Sequence, residues 1–216
     1  VRGSAEQVAR WEPREGIGAG EIGQPILARA ADGTLVPEAV THDGVAWQPD
    51  WPVTLVDQEG IEAYLHHVRE RDGLPWRLPH ELEWEKAARG TDQRAFPWGR
   101  RFDPSFANMT LSARPPVRCP VDAFPTDESP FGVRGLGGNV RDRCANHYAR
   151  SYATPQRLAD WPADHGDPTL PVSRGGAWIS SMALCRSATR FAGGIRNRNT
   201  SVGFRLCRTL VPSSQS

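Results

Sequence analysis

Arg174–Arg208, RGGAWISSMALCRSATRFAGGIRNRNTSVGFRLCR, is the stretch whose reading decides the fold of this 216-residue chain. Two glycine-and-aromatic blocks, Arg174-Gly175-Gly176-Ala177-Trp178 and Val202-Gly203-Phe204-Arg205, read as paired core strands. Glycine lets backbones approach closely, and the aromatics fill the centre. Between the blocks, Ile179–Leu184 and Phe191–Ser201 show neither helical nor alternating periodicity and consist mostly of small and polar residues. Irregular segments held on a rigid frame are common places for binding residues.

Working outward, two helices are expected. Asp57 can cap a helix over 58–71, with Ile61, Tyr64, Leu65 and Val68 on one face and Gly73 ending it. His66 and His67 lie on that helix about 100° apart, so they cannot chelate one metal together. A second helix runs to Arg89 before Gly90, with Pro79 suited to its first position and Leu82, Trp84, Ala87 and Ala88 on its buried side. Glu81, Glu83 and Glu85 read as helix-dipole partners on a solvated face. Residues 1–50 read as an irregular segment with one short hairpin around Pro25–Val36, residues 51–210 as the main domain, and residues 211–216 as a disordered tail. Since the chain starts at Val1 without a methionine, a truncated or processed piece of a larger chain is expected.

Composition narrows the function classes. The 21 glycines and 19 prolines favour a loop-rich α+β fold over a helical bundle, and eight tryptophans suit loops pinned by aromatic anchors. A net charge of +1 gives no global attraction to nucleic acid or to an anionic membrane. The arginines are spread along the chain, with only a moderate cluster at Arg186, Arg190, Arg196, Arg198, Arg205 and Arg208. Cys119, Cys144, Cys185 and Cys207 form no CxxC pair and no metal-ligand spacing. No signal peptide or spanning apolar run is visible, so a bacterial cytoplasm with reduced thiols is the default expectation.

From Trp51 onward, five motifs follow in order: PVTLVDQEGIEAYLHHV, LPWRLPHELEWEKAARG, FPWGRRFDPSFANM, PVDAFPTDESPFGVRGLGGNVRDRC, and the closing RGGAW…CRSATR…VGFRLCR. This set resembles the formylglycine-generating enzyme, or sulfatase-modifying factor, family. The resemblance implies a C-type-lectin-like α+β fold with two helices, short antiparallel strands and many loops. In that family two active-site cysteines hold copper for oxidation of a substrate cysteine. Laid on this chain, they fall on Ser180 and Cys185. A serine hydroxyl is hard and protonated at neutral pH, whereas Cu(I) wants soft thiolates. Copper is therefore not expected, and Cys185 reads as a small buried hydrophobe, with a thiol nucleophile as the alternative.

The resemblance also implies calcium sites, with weakened ligands here. Asp142 stands where the family's GNVWEW has its glutamate, Gly135 replaces a side-chain ligand, and the carbonyls of Gly138 and Val140 remain. A second site would start at Ala107-Asn108-Met109, without its later acidic ligand. Calcium prefers six to eight oxygens, so Asn108, Met109, Gly138, Val140 and Asp142 are weak candidates, with Asn108 and Asn139 as loop-bracing amides the competing reading. The family's tryptophans in this segment are Arg141 and Arg143 here. These either form an ion-pair cluster with Asp142, offer themselves to an acidic partner, or stand solvated.

With the chemistry weakened, the run 178–201 is expected to be a recognition face. Its candidate contact residues are Trp178, Ile179, Ser180, Ser181, Met182, Leu184, Thr189, Phe191, Ala192, Gly193, Gly194, Asn197, Asn199, Thr200 and Ser201. The layout resembles the variable proteins of diversity-generating retroelements, where adenine-directed mutagenesis leaves residues encoded by NNC codons; from Ile179 to Ser201 only Met182 violates that set. The expected function is a non-catalytic pseudoenzyme binding an unidentified protein or small ligand, without a cofactor and without membrane or nucleic acid. Two alternatives remain: a copper-dependent formylglycine-generating oxidase, and a structural or sensory domain of a bacterial serine/threonine kinase.

Overall fold

The computed structural model describes residues 11–17, 21–32, 35–37, 47–112, 117–149 and 166–210. The tail expected at 211–216 lies outside them. Helix α1 (Gln58–Asp72) starts where Asp57 accepts the Gly60 amide at 3.0 Å, and it ends at Gly73, whose φ of 65° only glycine adopts without strain. Gly60, Ile61, Leu65 and Val68 form its buried face, while Tyr64 stays at the margin, edge-on to Phe204 with ring centroids 5.6 Å apart. No helix among the described residues is long and apolar enough to cross a membrane.

Helix α2 (Glu81–Arg89) departs from expectation at its start. Pro79 lies ahead of the helix, and His80 is the cap: its ring accepts from the Leu82 amide while Glu83 accepts from the His80 amide. This reciprocal box satisfies two orphan donors, which proline at the first position would not do. The solvated-face reading of the carboxylates is also overturned. Glu81 is only 1% exposed and is gripped by Arg190 Nε and Nη2 at 2.6 and 2.8 Å. Glu85 pairs with Arg174 and Arg89, and Glu83 with Arg77.

The central sheet is mixed. Its order is β7 (Arg190–Ala192), β6 (Asp167–Arg174), β5 (Arg141–Tyr148), β8 (Val202–Phe204), with β8 parallel to β5 and the other pairs antiparallel. Two further antiparallel pairs stand apart from it, β1 (Arg14–Ile17) with β2 (Glu21–Pro25) and β3 (Leu27–Arg29) with β4 (Leu35–Pro37). The second matches the hairpin expected at Pro25–Val36. The two closing blocks do not pair with each other, as the sequence had suggested; both flank β5. Gly175, at φ 87°, ends β6, and Gly176 packs so tightly on the Gly137 carbonyl that a Cβ would lie 2.1 Å from its oxygen. These glycines therefore serve a turn and a loop crossing.

Three apolar clusters fill the interior. Trp84, Ala88, Leu136, Cys144 and Val172 lie between α2 and the sheet; Val56, Ile61, Leu65 and Leu78 lie under α1. Phe96, Ala107, Met109 and Cys185 support the closing loops.

Candidate functional site

Alternate residues of β5 point to opposite faces of the sheet, and this divides Arg141 and Arg143 from Asp142. Asp142 faces α2, where it accepts from the Trp84 indole at 2.8 Å and from Arg205 Nε at 2.6 Å. Arg141 and Arg143 face the closing loops. The expected ion-pair cluster around Asp142 does not exist, and the pair is not solvated either, since Arg143 is 2% exposed.

Each of these arginines braces one part of the loop face. Arg141 donates from Nη2 to Ser180 Oγ at 2.9 Å and from Nη1 to Ser201 Oγ at 3.0 Å, and its guanidinium carbon sits 4.1 Å from the Phe191 ring centroid. Arg143 donates to the carbonyls of Gly193 and Asn197 at 3.3 and 3.5 Å. Trp178 and Thr200 are tied by an indole-to-carbonyl bond of 3.3 Å, and Asn199 Oδ1 accepts from both the amide and the hydroxyl of Ser201 at 2.7 Å.

The proposed contact residues therefore split in two. Ile179, Ser181, Met182, Leu184, Ala192 and Asn197 are exposed. Trp178, Thr189, Phe191, Gly193, Gly194, Asn199 and Thr200 are half-buried at the margin. Ser180 and Ser201 are not surface residues; they are 0% and 1% exposed and hold Arg141 from beneath. Small residues suit this role, because a short hydroxyl side chain can be buried and still accept from the guanidinium. Sequence reasoning placed them on the face because it had no means of seeing which way each residue of an irregular loop turns.

Cys185 is fully buried beside Phe96, Ala107 and Met109, and burial pushes its thiol up to about 12. With Ser180 protonated, Cys185 neutral and a fixed guanidinium at hydrogen-bonding distance from the Ser180 oxygen, the residues at the family's copper position do not fit Cu(I), which needs thiolate donors. No group of three or more His, Cys, Asp or Glu with metal-binding geometry occurs among the described residues.

Four of the calcium candidates do come together. Asn108, Gly138, Val140 and Asp142 border one cavity of about 420 Å³, whereas Met109 is fully buried in the apolar cluster. Arg205 also lines that cavity, and its guanidinium reaches the Gly135 carbonyl at 3.0 Å as well as Asp142. Asn108 spends its amide on the Val117 carbonyl and on Asn139 Oδ1, as a loop brace does. A carboxylate already neutralised by an arginine, beside a bracing amide, does not fit a hard dication that wants six or more oxygens. The sequence reading missed Asp127 on the same cavity wall; it accepts the Gly137 and Gly138 amides, and burial pushes its carboxyl up to about 7.

Comparison with known proteins agrees with the motifs. Residues 30–210 match the sulfatase-modifying factor enzyme 1-like domain. The chain is 29% identical to the formylglycine-generating enzyme of Thermomonospora curvata, covering 73% of this chain and 61% of that protein. It is 28% identical to the inactive C-alpha-formylglycine-generating enzyme 2 of Bos taurus, covering 73% of this chain and 54% of that one. The chain thus spans little more than half the length of these relatives. In fold it is similar to Treponema denticola variable protein 1, with a TM-score of 0.64 at 21% identity over 76% of this chain and 73% of that one. With its five motifs in order, its mixed sheet and its two helices, this chain belongs to the family of the sulfatase-modifying factor enzyme 1-like domain.

Proposed function

We propose that this chain is a non-catalytic recognition module, in which the loops spanning residues 178–201 bind a protein or small ligand on a formylglycine-generating-enzyme-like frame. One observation carries the reading. Arg141 donates to Ser180, so a guanidinium–hydroxyl pair stands where active family members need a copper thiolate. The face above it is exposed and apolar in part, with Ile179 48%, Met182 42% and Leu184 38% exposed. Binding surfaces of folded domains commonly combine such loops with a rigid support. The existence of a relative described as inactive is consistent with loss of chemistry in this family.

Titration of the fully reduced protein with Cu(I) against a colorimetric Cu(I) chelator tests the reading. The chelator is expected to take all the copper; retention of one Cu(I) per chain would overturn the module and restore the oxidase. The finer reading, that residues 179–201 are diversified, is supported by their composition and is tested in the neighbouring DNA. A reverse transcriptase with a near-copy of codons 178–205 is expected, and its absence would remove that part alone.

A further inference from the structure

We propose that Arg141, backed by Arg143, is the anchor of a carboxylate-binding subsite at the centre of the 178–201 face. The argument starts from charge pairing. Five other partly or fully enclosed arginines have carboxylate partners: Arg174 and Arg190 on Glu81, Arg205 on Asp142, Arg198 on Asp57, Arg77 on Glu83. Arg141 and Arg143 have none among the described residues, and the buried Nε of each lacks a hydrogen-bond acceptor. Burial pushes both guanidinia below the ordinary arginine range, yet such groups stay charged. The titratable neighbour of Arg141 is Cys185, which is neutral at a value of about 12. The carboxylate that acts on Arg143 from farther away, Asp57, is held by Arg198 at 2.7 Å. Two adjacent enclosed cations without a counter-ion are costly, and a bound anion removes that cost.

The geometry assigns the two residues different parts. Arg143 is enclosed and capped by the Gly193 and Asn197 carbonyls, so it acts through its charge and by positioning that loop. Arg141 is half-buried and reaches the face. Ser180, Ser201 and the Phe191 ring fix its guanidinium plane, so the second N–H on each Nη has its direction set before a ligand arrives. A planar fork held in this way pairs with a carboxylate through parallel N–H bonds. The carboxylate is that of a free small acid or of an Asp or Glu side chain on a protein partner. This deepens the recognition reading and rests on it for the purpose of the site.

Arginine Nε–H signals of the intact, isotopically labelled chain, followed as sodium chloride is replaced by sodium acetate at constant ionic strength, test the proposal. A saturable shift of the Arg141 signal is expected, lost in Arg141→Gln. Should Arg141→Gln fail to fold, Arg141→Lys keeps the charge without the fork and is expected to weaken acetate binding about tenfold. Equal responses to chloride and acetate, undiminished acetate binding in either variant, or inorganic phosphate saturating at lower concentration than acetate would each overturn the assignment. Tighter binding of a blocked glutamyl peptide than of acetate supports it and identifies a protein side chain as the source, whereas acetate binding as tightly as the peptide supports it with a free acid as the source. If one Cu(I) is retained, the recognition reading falls whatever acetate does; if copper is released and acetate acts like chloride, only the subsite falls.

Discussion

The two faces of the central sheet treat arginine in opposite ways. Toward α2, Arg174 is 0% exposed yet lies against Glu81 and Glu85 and over the Trp84 ring, and Arg190, its neighbour across the β6–β7 pair, grips the same Glu81. Toward the closing loops, Arg143 is almost as buried and Arg141 half so, with hydroxyls, carbonyls and one aromatic ring in place of carboxylates. The paired face is therefore a closed electrostatic unit that locks helix to sheet. The other face carries charge without a carboxylate partner among the described residues, and it is there that we propose the ligand binds.

The largest expected effect tests the closed face. Glu81→Ala strands Arg190 and part of the Arg174 charge in the interior, and removing one partner of a buried pair costs about 3–5 kcal/mol. Urea unfolding measures it, and a loss below about 1 kcal/mol would erase the contrast between the faces.

Asp127 sharpens the comparison from the acidic side. It is 2% exposed, has no ion pair among the described residues, and its carboxyl is raised from 3.8 to about 7, with burial the first cause. Because the folded value exceeds the unfolded one, the native state holds an extra proton between them. Its contribution to stability is thus full below about pH 4 and is lost as pH rises toward 7, with a slope of at most about 1.4 kcal/mol per pH unit. Unfolding midpoints compared at pH 4.5 and 7 are expected to show this slope in the wild type and not in Asp127→Asn.

Arg141→Gln is expected to change stability by less than about 1 kcal/mol, since relief of an unpaired charge offsets two hydrogen bonds and a cation–π contact. A loss as large as that of Glu81→Ala would show that the loop face is as closed as the helix face. Smallest of all, Met182→Ser on the exposed turn is expected within about 0.5 kcal/mol of wild type in the same urea assay.

Much of the frame was legible in the chain. Asp57 and Gly73 bounded α1 correctly because capping acts within one turn of the residues it serves. The motif order identified the family, and Ser180 disclosed the missing thiolate as soon as it was aligned with that family. Legibility failed where the outcome depended on orientation. Pro79 and His80 competed for the start of α2, and the His80 ring reaching forward to the Leu82 amide, with Glu83 reaching back to the His80 amide, decided it. Arg141, Asp142 and Arg143 are adjacent in the chain, and nothing in their spacing tells which face of a strand looks toward a helix and which toward loops.

By itself, then, the amino-acid sequence determined the family, the two helices and the absence of a copper thiolate pair, because motifs, caps and the identity of position 180 are local facts. Only the tertiary structure decided which arginines are paired. Glu81 meets Arg190 across 109 positions of chain, and Arg141 meets Ser180 across 39. Charge compensation depends on distance in space and on burial, and both are set by how the sheet lies between α2 and the closing loops.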